Sequence, residues 1–217
     1  MTKQFIETVI LALANERKVF WSEADFQFAF AWKLKEILKY SDPQSTINVR
    51  LERRVDALEK RDNEKKSGDA YIDIWVEIDK IVYPIELKYK TIQCSITDGS
   101  EEYKLKQHSA CDIGCYLYLK DVERIEHISK SLGDNFGKGY AIMLTNDHLY
   151  WDQPKTTPDT TVFRDFRIYD GRKIVAGQKL NWHPSSNKQP VWQKKIGTSY
   201  TNPQLYHKLE RLLRIIK

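Results

Sequence analysis

The sequence predicts an α/β chain on three observations: apolar stripes at helical spacing at 5–14 and 21–40, strand-like apolar runs at 47–55, 71–90 and 139–146, and a helical pattern between the last two runs. The resulting order through the first two-thirds is helix, strand, strand, strand, helix, strand, with elements added at both ends. A chain of 217 residues suits one well-buried core better than two full domains, so a single domain over 1–217 is expected. No solenoid or propeller period is visible.

Each element has a local reason. Ile6, Val9, Ile10 and Leu13 repeat with helical period, and Glu7 interrupts what would otherwise resemble the apolar core of a signal peptide, so an amphipathic helix is expected at the start. In "WSEADFQFAFAWKLKEILKY", Ser22 followed by Asp25 reads as a capping-box-like start, with Phe26, Phe30, Leu34 and Ile37 as the packing stripe. "SDPQST" is turn chemistry, and "INVRLERRV" alternates as a strand would, except that Arg53 breaks the apolar parity; a helix remains an alternative there. The charged stretch 56–69 reads as an exposed connector or a frayed helix. From Ser100 to Leu132 the pattern is helical: Ser100, Glu101 and Glu102 make a helix start, a break or bend falls at Gly114, and Cys115, Tyr118, Leu119, Val122 and Ile125 form a buried face. "GYAIMLTN" is a short apolar run expected as a buried strand, continued across a turn by "HLYW". Beyond 152 come a Pro/Thr loop, a hairpin around Asp170-Gly171 within 163–182, and a basic amphipathic helix at 205–217 expected to pack back on the body.

Composition narrows the functional classes. Apolar residues make up 41% and charged residues 30%, enough for a packed globule and too apolar for a disordered chain. A net charge of +5 favours polyanionic partners. Three cysteines, Cys94, Cys111 and Cys115, are too few and too irregular for a disulfide framework and point to a reducing compartment, hence a cytoplasmic protein. Cys111 and Cys115 are spaced for one helix face, where small buried residues are expected rather than a zinc site. No stretch approaches the ~20 apolar residues that span a bilayer.

The chemistry concentrates in "YIDIWVEIDKIVYPIELKYK", residues 71–90, which reads as a hairpin with Asp79 and Lys80 at its tip, or with a four-residue loop in the same register. Counting outward, Ile78 faces Ile81, Val76 faces Tyr83, Ile74 faces Ile85 and Asp73 faces Glu86. Alternation then puts Asp73, Glu86 and Lys88 on one side and Ile72, Ile74, Ile85 and Leu87 on the core side. Opposed carboxylates with Cβ atoms about 4.5 to 5.5 Å apart repel unless something positive sits between them. Two carboxylates with positions left for water and phosphate suit Mg2+ or Mn2+, and Lys88 can hold a phosphate oxygen or stabilise developing charge.

Asp73, followed by Glu86-Leu87-Lys88 on a hairpin with a helix before it and a helix and strand after it, resembles the PD-(D/E)xK nuclease superfamily over roughly residues 20–150. "WSEADFQFA" and "GYAIMLTND" resemble flanking segments of bacterial members. The resemblance implies a restriction-endonuclease-like αβββαβ core, a central mixed sheet flanked by helices, and an extension over about 152–217. It implies metal-dependent hydrolysis of phosphodiester bonds in nucleic acid, DNA being the expected partner, with Asp73, Glu86 and the Leu87 carbonyl holding Mg2+ or Mn2+ and Lys88 assisting the water. It also implies supporting roles for Glu23 on the preceding helix and Gln107 on the following one. The proline that often precedes the Asp is replaced by Ile72.

Plainer readings stand beside these. Asp73 could cap a strand start, and Glu86 with Lys88 could form a solvated ion-pair face. Glu23 is favourable at a helix N-terminus through the macrodipole alone. His108 has no partner by spacing, and Arg50, Arg53, Arg54, Lys90, Lys104 and Lys106 suit phosphate contacts or simple solubility. The rival functions are a nuclease-like module that binds nucleic acid or protein without cutting, and a ribonuclease on the same scaffold. Cutting both strands often requires two sites, which suggests a homodimer.

Overall fold

The stripe Ile6, Val9 and Leu13 becomes the buried side of α1 (Phe5–Glu16) in the computed structural model, which describes residues 5–55, 70–152 and 168. α2 (Glu23–Ser41) begins where the sequence places its cap: the Ser22 hydroxyl accepts the Asp25 N–H at 3.1 Å. Asp25 in turn takes Arg17 and the Trp21 N–H, which ties the α1–α2 connection to the first turn. Phe26, Phe30 and Leu34 are buried as expected, with Leu38 completing the stripe and Ile37 half-buried beside it.

Three consecutive strands follow, β1 (Ile47–Val55), β2 (Ala70–Ile78) and β3 (Ile81–Lys90), each antiparallel to the next. Asp79 and Lys80 form the two-residue turn between β2 and β3 with φ of 48° and 72°, the left-handed pair of a type I′ hairpin, and the register from Ile78–Ile81 to Ile74–Ile85 is the one the sequence dictates. Neither residue is Gly. The Asp79 carboxylate compensates by accepting the Ser45 hydroxyl at 2.6 Å and the Thr46 N–H at 2.9 Å.

Glu52 and Asp73 mark an irregularity in this sheet. The β1–β2 register pairs every residue from Ile47–Ile78 to Val55–Ala70 except Glu52 with Asp73, and Glu52 has φ of 48° inside the strand. On one side of that rung Val49, Leu51, Ile74 and Val76 pack in the cluster with α1 and α2; on the other Ile72 and Val55 pack with Trp75, and the Arg53 guanidinium lies 3.8 Å from the Trp75 ring centroid. The strands therefore change face here. Ile72 does not share the face of Ile74, as plain alternation would have it, and the broken parity at Arg53 has its explanation.

α3 (Cys111–Leu132) crosses the other face of the sheet and leads to β6 (Tyr140–Thr145), which runs parallel to β3 from Ile85–Tyr140 to Lys90–Thr145. The sheet order is β1, β2, β3, β6. It is a mixed sheet, and the chain is α/β. Both faces are covered: Ile85, Leu87, Ile142 and Leu144 lie under α1 and α2, while Ala141 and Met143 lie with Cys115, Tyr118, Leu119 and Ile125 under α3. Ile168 is buried in the second cluster.

The stretch from Ser100 corrects the sequence reading. It is not a helix start: β4 (Cys94–Asp98) and β5 (Glu101–Leu105) form a separate hairpin, turning at Gly99 with φ of 62°. Tyr103 and Leu105 alternate inward onto Val19, so a period-two pattern inside "EEYKL" outweighs its helix-start chemistry. Gly114 does not break α3; a Cβ there would collide with the Tyr150 hydroxyl, so its role is close approach. Residues His148–Tyr150 form a 3-10 turn capped by Asp147 rather than a strand continuation. Cys111 and Cys115 do share a face, Sγ to Sγ 3.9 Å, though only Cys115 is fully buried. The expectations for 56–69, the hairpin at 163–182 (Ile168 aside) and the helix at 205–217 lie outside the described residues. Among the described residues no helix is long and apolar enough to cross a membrane.

Candidate active site

The split in the sheet is where Asp73 sits. The β2–β3 register stops at Ile74–Ile85, so Asp73 and Glu86 do not form the backbone rung expected from the hairpin count. Instead the Leu87 N–H donates to Asp73 Oδ2 at 2.6 Å, and the Asp73 carboxyl lies near enough to Glu86 for its charge to act on it. The two carboxyl groups meet through side chains rather than through strand pairing.

Glu86 and Lys88 lie on the face that α3 covers, because they alternate with Leu87 and are level with Ala141 and Met143 of β6. Glu86 is only 2% exposed. The guanidinium of Arg124, on α3, holds Glu86 Oε1 and lies 3.3 Å from Asp121 Oδ1. Lys88 Nζ is 2.9 Å from Asp121 Oδ2 and 4.0 Å from Glu23 Oε1, and it donates to the Leu87 carbonyl at 3.1 Å. Glu23, at the first turn of α2, also accepts the Tyr89 N–H at 2.9 Å. Four of the residues singled out from the sequence, Glu23, Asp73, Glu86 and Lys88, therefore converge, and Leu87 turns both its N–H and its carbonyl to this cluster.

Gln107 does not join them as expected from a residue on the following helix. It precedes α3, in the segment after β5, and its Oε1 accepts the Gln93 N–H at 3.2 Å. His108 bonds through Nδ1 to the Thr91 N–H, a loop-closing contact. Arg53 is committed to Trp75, and Lys104 lies 4.0 Å from Glu102 on the exposed hairpin.

Asp121 and Arg124 were missed by the sequence reading. Both lie on α3, three residues apart and so on one side of the helix. The available signal was an acidic residue, Asp121, one turn beyond Tyr118 on the buried face; it is 3% exposed. Gln27, also missed, is a buried amide one turn along α2 from Glu23, and its Nε2 donates to the Asp73 carbonyl at 2.7 Å and to Glu52 Oε1 at 2.8 Å.

The electrostatics follow from burial. Four carboxylates, Glu23, Asp73, Glu86 and Asp121, face two cations, Lys88 and Arg124, an excess of two negative charges when all are ionised. Burial and then the Asp121 charge push the Glu86 carboxyl up to about 8. Burial likewise raises Asp73, against the Leu87 N–H and Lys88, and raises Asp121, against Lys88. Although burial disfavours the charge on Lys88, the Asp121 and Glu23 carboxylates outweigh it and hold the ammonium ionised.

Hard oxygen donors with a surplus of negative charge are the chemistry that a small divalent cation requires. Among the described residues no three Asp, Glu, His or Cys side chains are gathered in a cation-holding arrangement; Arg124 holds Glu86, and the Leu87 N–H donates to Asp73. The donor set fits in kind and in charge, and loading it requires Arg124 to yield Glu86 and Lys88 to yield the Leu87 carbonyl. No family model, curated protein or solved structure matches the chain.

Proposed function

We propose that this chain is a divalent-metal-dependent nuclease with a restriction-endonuclease-like αβββαβ core, hydrolysing phosphodiester bonds in DNA. The observation that carries the reading is the convergence of Asp73, Glu86 and Lys88, with Glu23 beside them, at the point where β2 and β3 part. The element order from α2 onward, a helix, three antiparallel strands, the separate β4–β5 hairpin, a helix and a parallel strand, supports the fold assignment, with the hairpin as an insertion.

Asp73, Glu86 and the Leu87 carbonyl would hold Mg2+ or Mn2+, which when bound polarises a phosphoryl oxygen and makes a bound water acidic. Lys88 stays protonated among its carboxylates and supplies a fixed positive charge for a non-bridging phosphate oxygen, where negative charge grows during the reaction. Glu23 positions the Lys88 ammonium from the α2 side and Asp121 from the α3 side. Arg124, once it leaves Glu86, offers a bidentate donor for a second phosphate oxygen. Gln107, which accepts the Gln93 N–H outside this cluster, is given no part in the reaction.

The test is cleavage of plasmid and linear DNA, with matched RNA, in Mg2+ and in chelator. DNA cleavage that requires the cation and is lost in Asp73→Ala and Lys88→Ala supports the reading. Cleavage unchanged in those variants refutes it, and RNA cleaved in place of DNA would transfer the chemistry to a ribonuclease.

A further inference from the structure

We propose that Gln27 is the positioning residue of the Asp73 cation ligand, acting through the backbone of Asp73, with Glu52 fixing the orientation of the Gln27 amide; this rests on reading Asp73 and Glu86 as a cation site. Asp73 is the residue at which both ladders fail: its rung with Glu52 is skipped and the β2–β3 register ends one residue before it. A partly buried carbonyl at such a break needs a donor from elsewhere. The Gln27 amide provides it, and its second hydrogen goes to Glu52 Oε1. A primary amide has two N–H donors on one atom, so two acceptors at 2.7 and 2.8 Å fix which end of the amide faces the strand.

Glu52 adopts φ of 48°, a left-handed conformation that Gly would take with less strain, inside a strand. Glycine there would keep the backbone and lose the acceptor. The strained position and the side-chain bond thus occur together at the rung opposite Asp73. Glu23 and Gln27 are four residues apart on α2 and face the same way. Glu23 grips the β3 backbone at Tyr89 and Gln27 grips the β2 backbone at Asp73. α2 therefore sets the separation of the two strands across which the Asp73 and Glu86 carboxyl groups meet.

The experiment is Mn2+ binding to the full chain, measured by electron paramagnetic resonance, with thermal unfolding of each protein in chelator as the companion readout. Gln27→Met keeps the length of the side chain and removes both donors; its Mn2+ affinity is expected to fall about tenfold, the size typical of losing a partner that orients a ligand. Glu52→Gln keeps an acceptor and should bind within about twofold of wild type, whereas Glu52→Ala should weaken binding several-fold. A Gln27→Met protein that is less stable yet binds Mn2+ as wild type does would overturn the inference. Should Gln27→Met fail to fold, wild-type affinity in Glu52→Ala would overturn it equally. Wild-type protein that binds no Mn2+ would remove the cation site itself, an outcome distinct from a failure of Gln27 alone.

Discussion

Arg124 on α3 holds the carboxylate of Glu86 on β3, so the cation nearest the proposed metal ligand is supplied by the protein itself. Arg124 also lies 3.3 Å from Asp121, which Lys88 contacts from the other side. The four side chains form a chain of alternating charge, and removing one link exposes its neighbours.

Arg124→Met tests that dependence. It leaves Glu86 and Asp121 buried without their guanidinium, and breaking a largely buried pair from one side costs about 3 kcal/mol. Chemical denaturation in chelator should show this loss most fully at about pH 8.5, where the Glu86 carboxyl pushed up to about 8 is ionised, and saturating Mn2+ should restore much of it, because the cation replaces the lost charge. Equal losses with and without Mn2+ would show that Arg124 matters only for packing.

The raised carboxyl of Glu86 gives the metal-free protein a defined pH dependence. In the unfolded chain this group ionises near 4.3, as glutamates do, and in the fold it is pushed up to about 8. The fold binds a proton that the unfolded chain has released between those values, so stability is fully present below about 4.3 and is lost as pH rises through about 8. The expected difference between pH 5 and pH 8 in chelator is on the order of a few kcal/mol, reinforced by the raised Asp73 and Asp121. Glu86→Gln should flatten the curve, and stability that climbs over this range would contradict the assignment.

At Lys80 a substitution should stabilise. Its φ of 72° is the second left-handed position of the type I′ turn, where Gly is favoured, so Lys80→Gly is expected to add about 1 kcal/mol. Asp79→Gly should gain less or lose, because it also gives up the bonds to Ser45 and Thr46. Thermal melts of the two variants separate backbone strain from side-chain anchoring.

Gly114→Ala probes the contact between α3 and the segment after β6. The added methyl would meet the Tyr150 hydroxyl, an overpacking expected to cost about 1–3 kcal/mol. Removing the hydroxyl in Gly114→Ala, Tyr150→Phe should recover part of that loss; additive losses would place the clash elsewhere.

Much of this architecture was legible in the residues. Ser22 and Asp25 fixed the start of α2, the apolar stripe of α1 was correct, and the hairpin count from Asp79-Lys80 gave the register as far as Ile74–Ile85. Alternation along β3 placed Glu86 and Lys88 together on one face. What alternation could not give was the face change at Glu52 and Asp73, since a positive φ at a glutamate leaves no mark in a hydrophobic pattern. The carboxyl pair came together for a different reason from the one expected, a broken ladder closed by side chains. The β4–β5 hairpin was hidden because "SEE" is good helix-start chemistry, and only burial of Tyr103 and Leu105 against Val19 decides for strands. Asp121 and Arg124 were out of reach for another reason: facing β3 depends on how α3 crosses the sheet, which no local pattern encodes.

The most direct measurement is a Mn2+ titration of the wild-type protein beside Glu86→Ala, followed by electron paramagnetic resonance. Saturable binding of one cation per chain is expected in the wild type, with loss of that binding in Glu86→Ala. A wild type that takes up no Mn2+, or a Glu86→Ala protein that binds it unchanged, would contradict the reading of Asp73 and Glu86 as the heart of the site.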